Sequence, residues 1–146
     1  SLHLKSYEED GSDKDRRKEA CAILQAYLNT QPGLPFLLGG DLNDSPLDAE
    51  ENNVFLDTFL SEDSTMVFPT ALFPEDSYTF GGTIEGEFVG LFLDHFVYND
   101  PLHRLYPNVE VLVLPLSLED LMEWIPTHSD HLPISIQFRE SSSLTL

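Results

Sequence analysis

Leu34-Pro35-Phe36-Leu37-Leu38-Gly39-Gly40-Asp41-Leu42-Asn43 is an apolar run that breaks on two glycines and then presents a carboxylate and an amide two residues apart. A run this short, with Pro32-Gly33 before it and Asn43-Asp44-Ser45-Pro46 turn chemistry after it, fits a strand buried on both faces. The glycines let the backbone turn tightly. If extended, Asp41 and Asn43 point the same way from one strand end. Two further segments share this plan. Asp94 stands between Val89-Gly90-Leu91-Phe92-Leu93 and Phe96-Val97-Tyr98, and Ser129-Asp130-His131 precedes the alternating run 132–138. A carboxylate inside an apolar strand costs several kcal/mol of desolvation unless a partner holds it. His131, from another strand, is the partner expected. An imidazole oriented by an aspartate serves as a general acid or base near neutral pH.

Working outward, residues 1–6 alternate as a strand that runs into a charged, solvated loop over 8–13. Ala20, Ile23, Leu24, Tyr27 and Leu28 recur at helical spacing and predict a helix over 15–30, ended by Pro32-Gly33. A second helix is expected over 48–60 with Val54, Phe55, Phe59 and Leu60 buried, followed by a Pro-containing loop over 61–77. Strands are expected at 78–83 and 88–99, joined by a Gly-rich loop, and at 109–114, with a short helix or loop at 118–124. The run 132–138 closes the fold, and 139–146 has no periodicity and reads as a flexible tail. No internal repeat is present. The fold class expected is α/β, with strands outnumbering helices and needing cover on both faces.

The order His3-Leu4, Gly40-Asp41-Leu42-Asn43, Asp94 within an apolar strand, then Ser129-Asp130-His131 resembles the endonuclease/exonuclease/phosphatase superfamily, the deoxyribonuclease-I-like phosphoesterases. Each motif alone is weak; all four in order cover nearly the whole chain. The resemblance implies half of a four-layer α/β sandwich with mixed sheets. Residues 1–138 would be the C-terminal half of the domain, with an N-terminal half, which in this superfamily carries an Asn and a metal-binding Glu, expected upstream. It implies a Mg²⁺- or Mn²⁺-dependent phosphoric ester hydrolase, of which this portion alone is expected to be inactive. By the resemblance, His3, Asp41, Asn43, Asp94 and His131 are the catalytic positions, and Asp41, Asn43, Asp130 and His131 are those placed at the metal. The expected partner is a phosphorylated substrate: a small molecule, a lipid headgroup or a nucleic-acid end. Residues 41–46, 78–80 and 93–98 look closest to general phosphodiesterase, sphingomyelinase-like and deadenylase-like members, and the Pro-x-Trp-x-Asp-Arg segment of the inositol polyphosphate 5-phosphatases is absent.

Composition narrows this without deciding it. Seven basic against 26 acidic residues give a net charge of −19, a field that repels a long nucleic acid, although bound divalent cations reverse the sign locally. Hydrophobic residues at 41% fit a folded chain with a core, and no apolar run is long enough to cross a bilayer. The single Cys21 allows no internal disulfide and reads as a buried small hydrophobe. Plainer readings stand beside the functional ones. Asp41 and Asn43 also make the pattern of an Asx-turn, His3 suits a plain strand residue, His95 points away from Asp94 and suits a structural role, and Trp124 suits either substrate stacking or packing. Ser129, Asp130 and His131 are adjacent and cannot form a serine-hydrolase triad. His128 and His131 lack the Glu of a zinc-peptidase helix. The other class of function is a non-catalytic interaction module built on the same half-domain.

Overall fold

Thr79 decides how the long apolar stretch 88–99 folds: its Oγ1 accepts the backbone N–H of both Leu93 (3.0 Å) and Asp94 (2.9 Å). The stretch is therefore bent into two strands in different sheets, not the single strand expected. The structure, a computed structural model, describes residues 1–8, 11–74, 77–85 and 87–140. In chain order its elements are β1 (Leu2–His3), α1 (Ser12–Asn29), β2 (Leu37–Asp41), β3 (Met66–Val67), a 3₁₀ turn (Pro69–Leu72), β4 (Phe80–Ile84), β5 (Glu87–Leu91), β6 (Asp94–Asn99), α2 (Asp100–Leu105), β7 (Asn108–Val113), α3 (Leu118–Thr127) and β8 (Ile134–Arg139). The architecture is mixed α/β, with several small sheets and few helices. The principal sheet has the order β1-β2-β6-β3, with β1 parallel to β2 and the other pairs antiparallel; β4–β5 and β7–β8 are two-stranded.

The principal sheet buries one face. Cys21 of α1 meets Leu42, Val54, Phe55, Phe59, Phe68 and Val97 in the core. Side chains alternate along a strand, so Leu38 packs on this cluster while Leu37 is turned away and 41% exposed. β2 is thus not buried on both faces, as its sequence suggested. The helix face differs too: Asp13, Arg17, Cys21 and Leu28 are buried, whereas Ile23 and Tyr27 are exposed. The cause is electrostatic. Arg17 Nη1 meets Asp13 Oδ2 at 2.6 Å and its Nε meets Asp44 Oδ2 at 3.0 Å, turning that row of α1 inward. Cys21 is buried as expected, and burial, then the Asp44 charge, pushes its thiol up to about 12.

Residues 48–60 form consecutive turns, not a helix. Asn53 competes with the helical ladder: its Oδ1 accepts the Phe55 N–H, and its Nδ2 donates to the carbonyls of Pro46 and Asp48. The expected burial survives for Val54, Phe55 and Phe59, which are almost fully enclosed, while Leu60 is only partly buried and packs against the core. β3, the 3₁₀ turn and α2 had no counterpart in the sequence reading. Arg139, assigned there to the tail, ends β8; 141–146 lie outside the described residues, as do 9–10 of the charged loop, 75–76 of the 61–77 loop and 86 of the hairpin. No helix among the described residues is long and apolar enough to cross a membrane.

Gly40 has a specific task. Its φ is +145°, and a Cβ there would lie 2.0 Å from the Leu2 carbonyl oxygen, so only glycine lets β1 approach β2. Gly40→Ala is expected to cost about 1–3 kcal/mol in chemical denaturation and to increase amide exchange at Leu4, whose N–H bonds the Asp41 carbonyl at 3.0 Å. Unchanged stability would show that the β1–β2 contact is dispensable.

Candidate functional site

Strand register puts His3, Asp41 and Asp94 in one row across the end of the sheet, with His3 opposite Asp41 in the parallel pair and Asp41 opposite Asp94 in the antiparallel pair. Like charges directly opposite across two strands destabilise the pairing. Imidazoles offset that repulsion here. His131 Nδ1 is 2.7 Å from Asp94 Oδ2, its Nε2 is 3.7 Å from Asp41 Oδ2, and His3 Nε2 approaches the same Asp41 oxygen to 3.5 Å. The first distance is a charge-assisted hydrogen bond; the other two are ion-pair separations. The side chains of Asp41 and Asp94 are 15% and 16% exposed, whereas His3 is 73% exposed. His3 is therefore the outermost member of the row, the Asp94–His131 pair the inner one.

Each part of the row is held by identifiable bonds. Asp94 starts β6 because Thr79 receives its N–H. The Thr79 carbonyl also accepts the Leu132 N–H at 2.6 Å, so one buried residue ties down both the Asp94 strand end and the segment carrying His131. The loop before β8 is further pinned by the Asp130 carbonyl, which accepts the Gly81 N–H, and by Ser129 Oγ, which accepts the His131 N–H. Phe80 lies edge-on to the His131 ring at 5.3 Å. Trp124 Nε1 donates to the His131 carbonyl at 3.3 Å. Trp124 is in α3 and stacks on His128 with ring centroids 4.5 Å apart.

Burial by itself would lower the His131 pKa. The Asp94 hydrogen bond, followed by the charges of Asp94, Asp41 and Asp130, overrides it and raises the pKa above the ordinary 6.5. His95, the next residue after Asp94, behaves oppositely. It is buried on the core side, its Nε2 donates to the Phe92 carbonyl at 3.1 Å, and its Nδ1 accepts from the Thr70 hydroxyl at 2.8 Å. Burial pushes its pKa down to about 4, so it stays neutral and structural.

Asn43 is not extended alongside Asp41. It has a φ of +50°, its N–H donates to Asp41 Oδ1 at 2.8 Å, and its Nδ2 donates to the Leu4 carbonyl at 2.9 Å. This is an Asx-turn, and it has a consequence for the row: it fixes the Asp41 carboxylate with Oδ2 toward the imidazoles. Asp130 is solvent-exposed beside His131. Among the described residues, no three or more His, Cys, Asp or Glu side chains are grouped to hold a metal ion. Of the four positions placed at the metal, Asp41 and His131 face each other, Asn43 turns its amide nitrogen to Leu4, and Asp130 lies near enough for its charge to act on His131.

Thr79 and Phe80 entered the sequence reading only as part of the segment 78–80, and neither they nor Arg17 were given a role at the site. A threonine between two aromatics at a strand start is a weak hint, and its 15-residue separation from Asp94 carries no pattern. Thr79→Val leaves two backbone N–H groups without their acceptor and is expected to cost about 1–3 kcal/mol. It should also weaken the Asp94–His131 bond, read as a fall in the His131 pKa by NMR, while Thr79→Ser preserves both. Equal His131 titration in the valine and serine variants would assign Thr79 to packing alone.

Compared with known proteins, the chain matches no family model and none of the curated proteins.

Proposed function

We propose that this chain carries the acid–base part of a divalent-metal-dependent phosphoesterase, a hydrolase that cleaves a phosphodiester or phosphomonoester by attack of water. The observation supporting this reading most directly is the Asp94–His131 hydrogen bond with Asp41 at the free edge of the same imidazole. Ester hydrolysis at phosphorus needs charge placed against the phosphoryl oxygens, an oriented water, and a proton for the leaving oxygen. His131, held by Asp94, is suited to contacting a phosphoryl oxygen or donating that proton through Nε2. Asp41 Oδ2, on the other side, is suited to orienting water. His3, at the exposed edge, is suited to meeting substrate.

The donor chemistry fits a hard cation in kind. Mg²⁺ is commonly held by one or two carboxylates, with water and substrate phosphate completing its shell. Asp41 Oδ2 and the exposed Asp130 carboxylate are the oxygens available, with the amide oxygen of Asn43 third. His131 is the weakest ligand of the four, because a protonated imidazole has no free lone pair. A bound ion would neutralise phosphoryl charge in a strongly acidic chain. The further ligands such an ion requires are proposed to come from outside this set.

The test is hydrolysis of bis(p-nitrophenyl) phosphate and p-nitrophenyl phosphate by the protein as its gene encodes it, with Mg²⁺ or Mn²⁺ and with a chelator. Metal-dependent release of nitrophenolate supports the reading; no release from either ester with either metal overturns it. The alternative reading is a non-catalytic interaction module. It predicts no turnover and no change in His131 titration on adding Mg²⁺.

A further inference from the structure

α1 is apolar on two opposite sides. Cys21 and Leu28 are buried on one, with Leu24 packed against the core. Ala22, Ile23, Ala26 and Tyr27 lie on the other, and Ile23 and Tyr27 are 65% and 63% exposed. A surface helix ordinarily turns polar and charged residues outward, and a helix that is apolar all round is one buried all round. Residues four apart are neighbours on a helix, so these side chains form one patch over its C-terminal half. The N-terminal half of the same face is charged, with Asp15, Arg16 and Glu19 exposed.

Two properties of the patch match a second copy of itself. The first is shape. In an antiparallel pair of α1 helices, with the two-fold axis level with the Leu24–Gln25 peptide, Ile23 meets Ala26 of the second copy and Tyr27 meets its Ala22. Large side chains then pack on small ones, which suits helix axes roughly 8–10 Å apart. The second is charge. α1 holds four of the chain's seven basic residues, Lys14, Arg16, Arg17 and Lys18, against three of its 26 acidic ones, Asp13, Asp15 and Glu19. A chain of net charge −19 repels its like over most of its surface, and this helix is where that repulsion is relieved. The same arrangement places Arg16 just beyond the C-terminal end of the other α1, whose last turn has no basic residue of its own. A cation at that end is favoured by the helix dipole.

We propose that the exposed face of α1 is a homodimer interface, in which two copies of this chain pair antiparallel through Ala22, Ile23, Ala26 and Tyr27. One helix face lies at the low end of specific interface sizes, so the dimer forms reversibly, with a dissociation constant on the order of 10⁻⁵ M. The interface does not depend on the phosphoesterase reading, because none of its residues belongs to the row of His3, Asp41, Asp94 and His131.

Sedimentation equilibrium of the protein as its gene encodes it tests this, in about 0.15 M salt so that charges more than about 8 Å apart are screened. The mass should rise from monomer to dimer between roughly 1 μM and 1 mM. Ile23→Ser and Tyr27→Ser should each weaken dimerisation at least ~10-fold through loss of buried apolar surface. Both side chains are exposed in the single chain, so urea denaturation of the dilute protein should be unchanged. Arg16→Glu should weaken the dimer roughly 5-fold more than Lys18→Glu, the same change of charge placed off the patch. A monomer throughout that range, a dimer indifferent to both serine variants, or equal losses in the two charge variants would each overturn the assignment. So would a protein that stays monomeric and instead sediments with anionic lipid vesicles.

Discussion

His131→Ala, made in the protein as its gene encodes it, is expected to cut turnover of a phosphate ester at least ~100-fold with little change in stability, the range seen when a positioned acid or base is removed. Among the described residues the imidazole is the one ion-pair partner common to both carboxylates of the row, so its loss removes the proton donor and leaves Asp94 without its imidazole, with His3 still beside Asp41. Asp94→Asn separates the two effects. It keeps a side chain of the same shape but takes away the charge that raises the His131 pKa, so that pKa should fall in an NMR titration and the limb of the rate profile it controls should move to lower pH. Linkage gives a second readout. A folded-state pKa above the unfolded 6.5 contributes stability that is complete below pH 6.5 and disappears as pH rises through the folded value. Asp94→Asn should flatten stability across that window. Full turnover in His131→Ala would remove the imidazole from the chemistry, and an unchanged pKa in Asp94→Asn would mean that the 2.7 Å contact is not what sets its protonation.

Phe55→Ala is expected to be the most destabilising single change, at about 3–5 kcal/mol, the range for emptying a fully enclosed aromatic site. Phe55 is 0% exposed, with ring centroids 6.1 Å from Phe59 and 5.2 Å from Phe68. Phe55 and Phe59 lie in turns, not in a helix, so no regular backbone ladder holds the segment when the ring is lost. The unfolding temperature should fall by on the order of 10 °C. A loss below about 1 kcal/mol in urea denaturation would show that the segment repacks and that the core is carried elsewhere.

The burial of Val54, Phe55 and Phe59 was legible although the helix was not. Apolar spacing reports which side chains must leave water, but not whether Asn53 will take hydrogen bonds a helix needs. The same division holds at the candidate site. Asp94 declared its need for a partner, because a carboxylate in an apolar strand is costly wherever it sits, and His131 answers it across 37 residues. Asp41 and Asn43 were legible as a pair and as a possible Asx-turn, but the bond from Asn43 to the Leu4 carbonyl, 39 residues away, was not.

The sequence by itself determined the mixed α/β class, the acidic field, the buried thiol and the residues with chemistry to offer. These follow from side-chain type and local spacing, which no packing can change. Only tertiary structure decided where β5 ends and β6 begins, which face of α1 turns inward, and that His3, Asp41 and Asp94 fall in one register row. Each of those depends on a bond between groups far apart in the chain: Thr79 to Asp94, Arg17 to Asp44, Asn43 to Leu4. Local periodicity carries no term for them, because a hydrogen bond chooses its partner by distance in space.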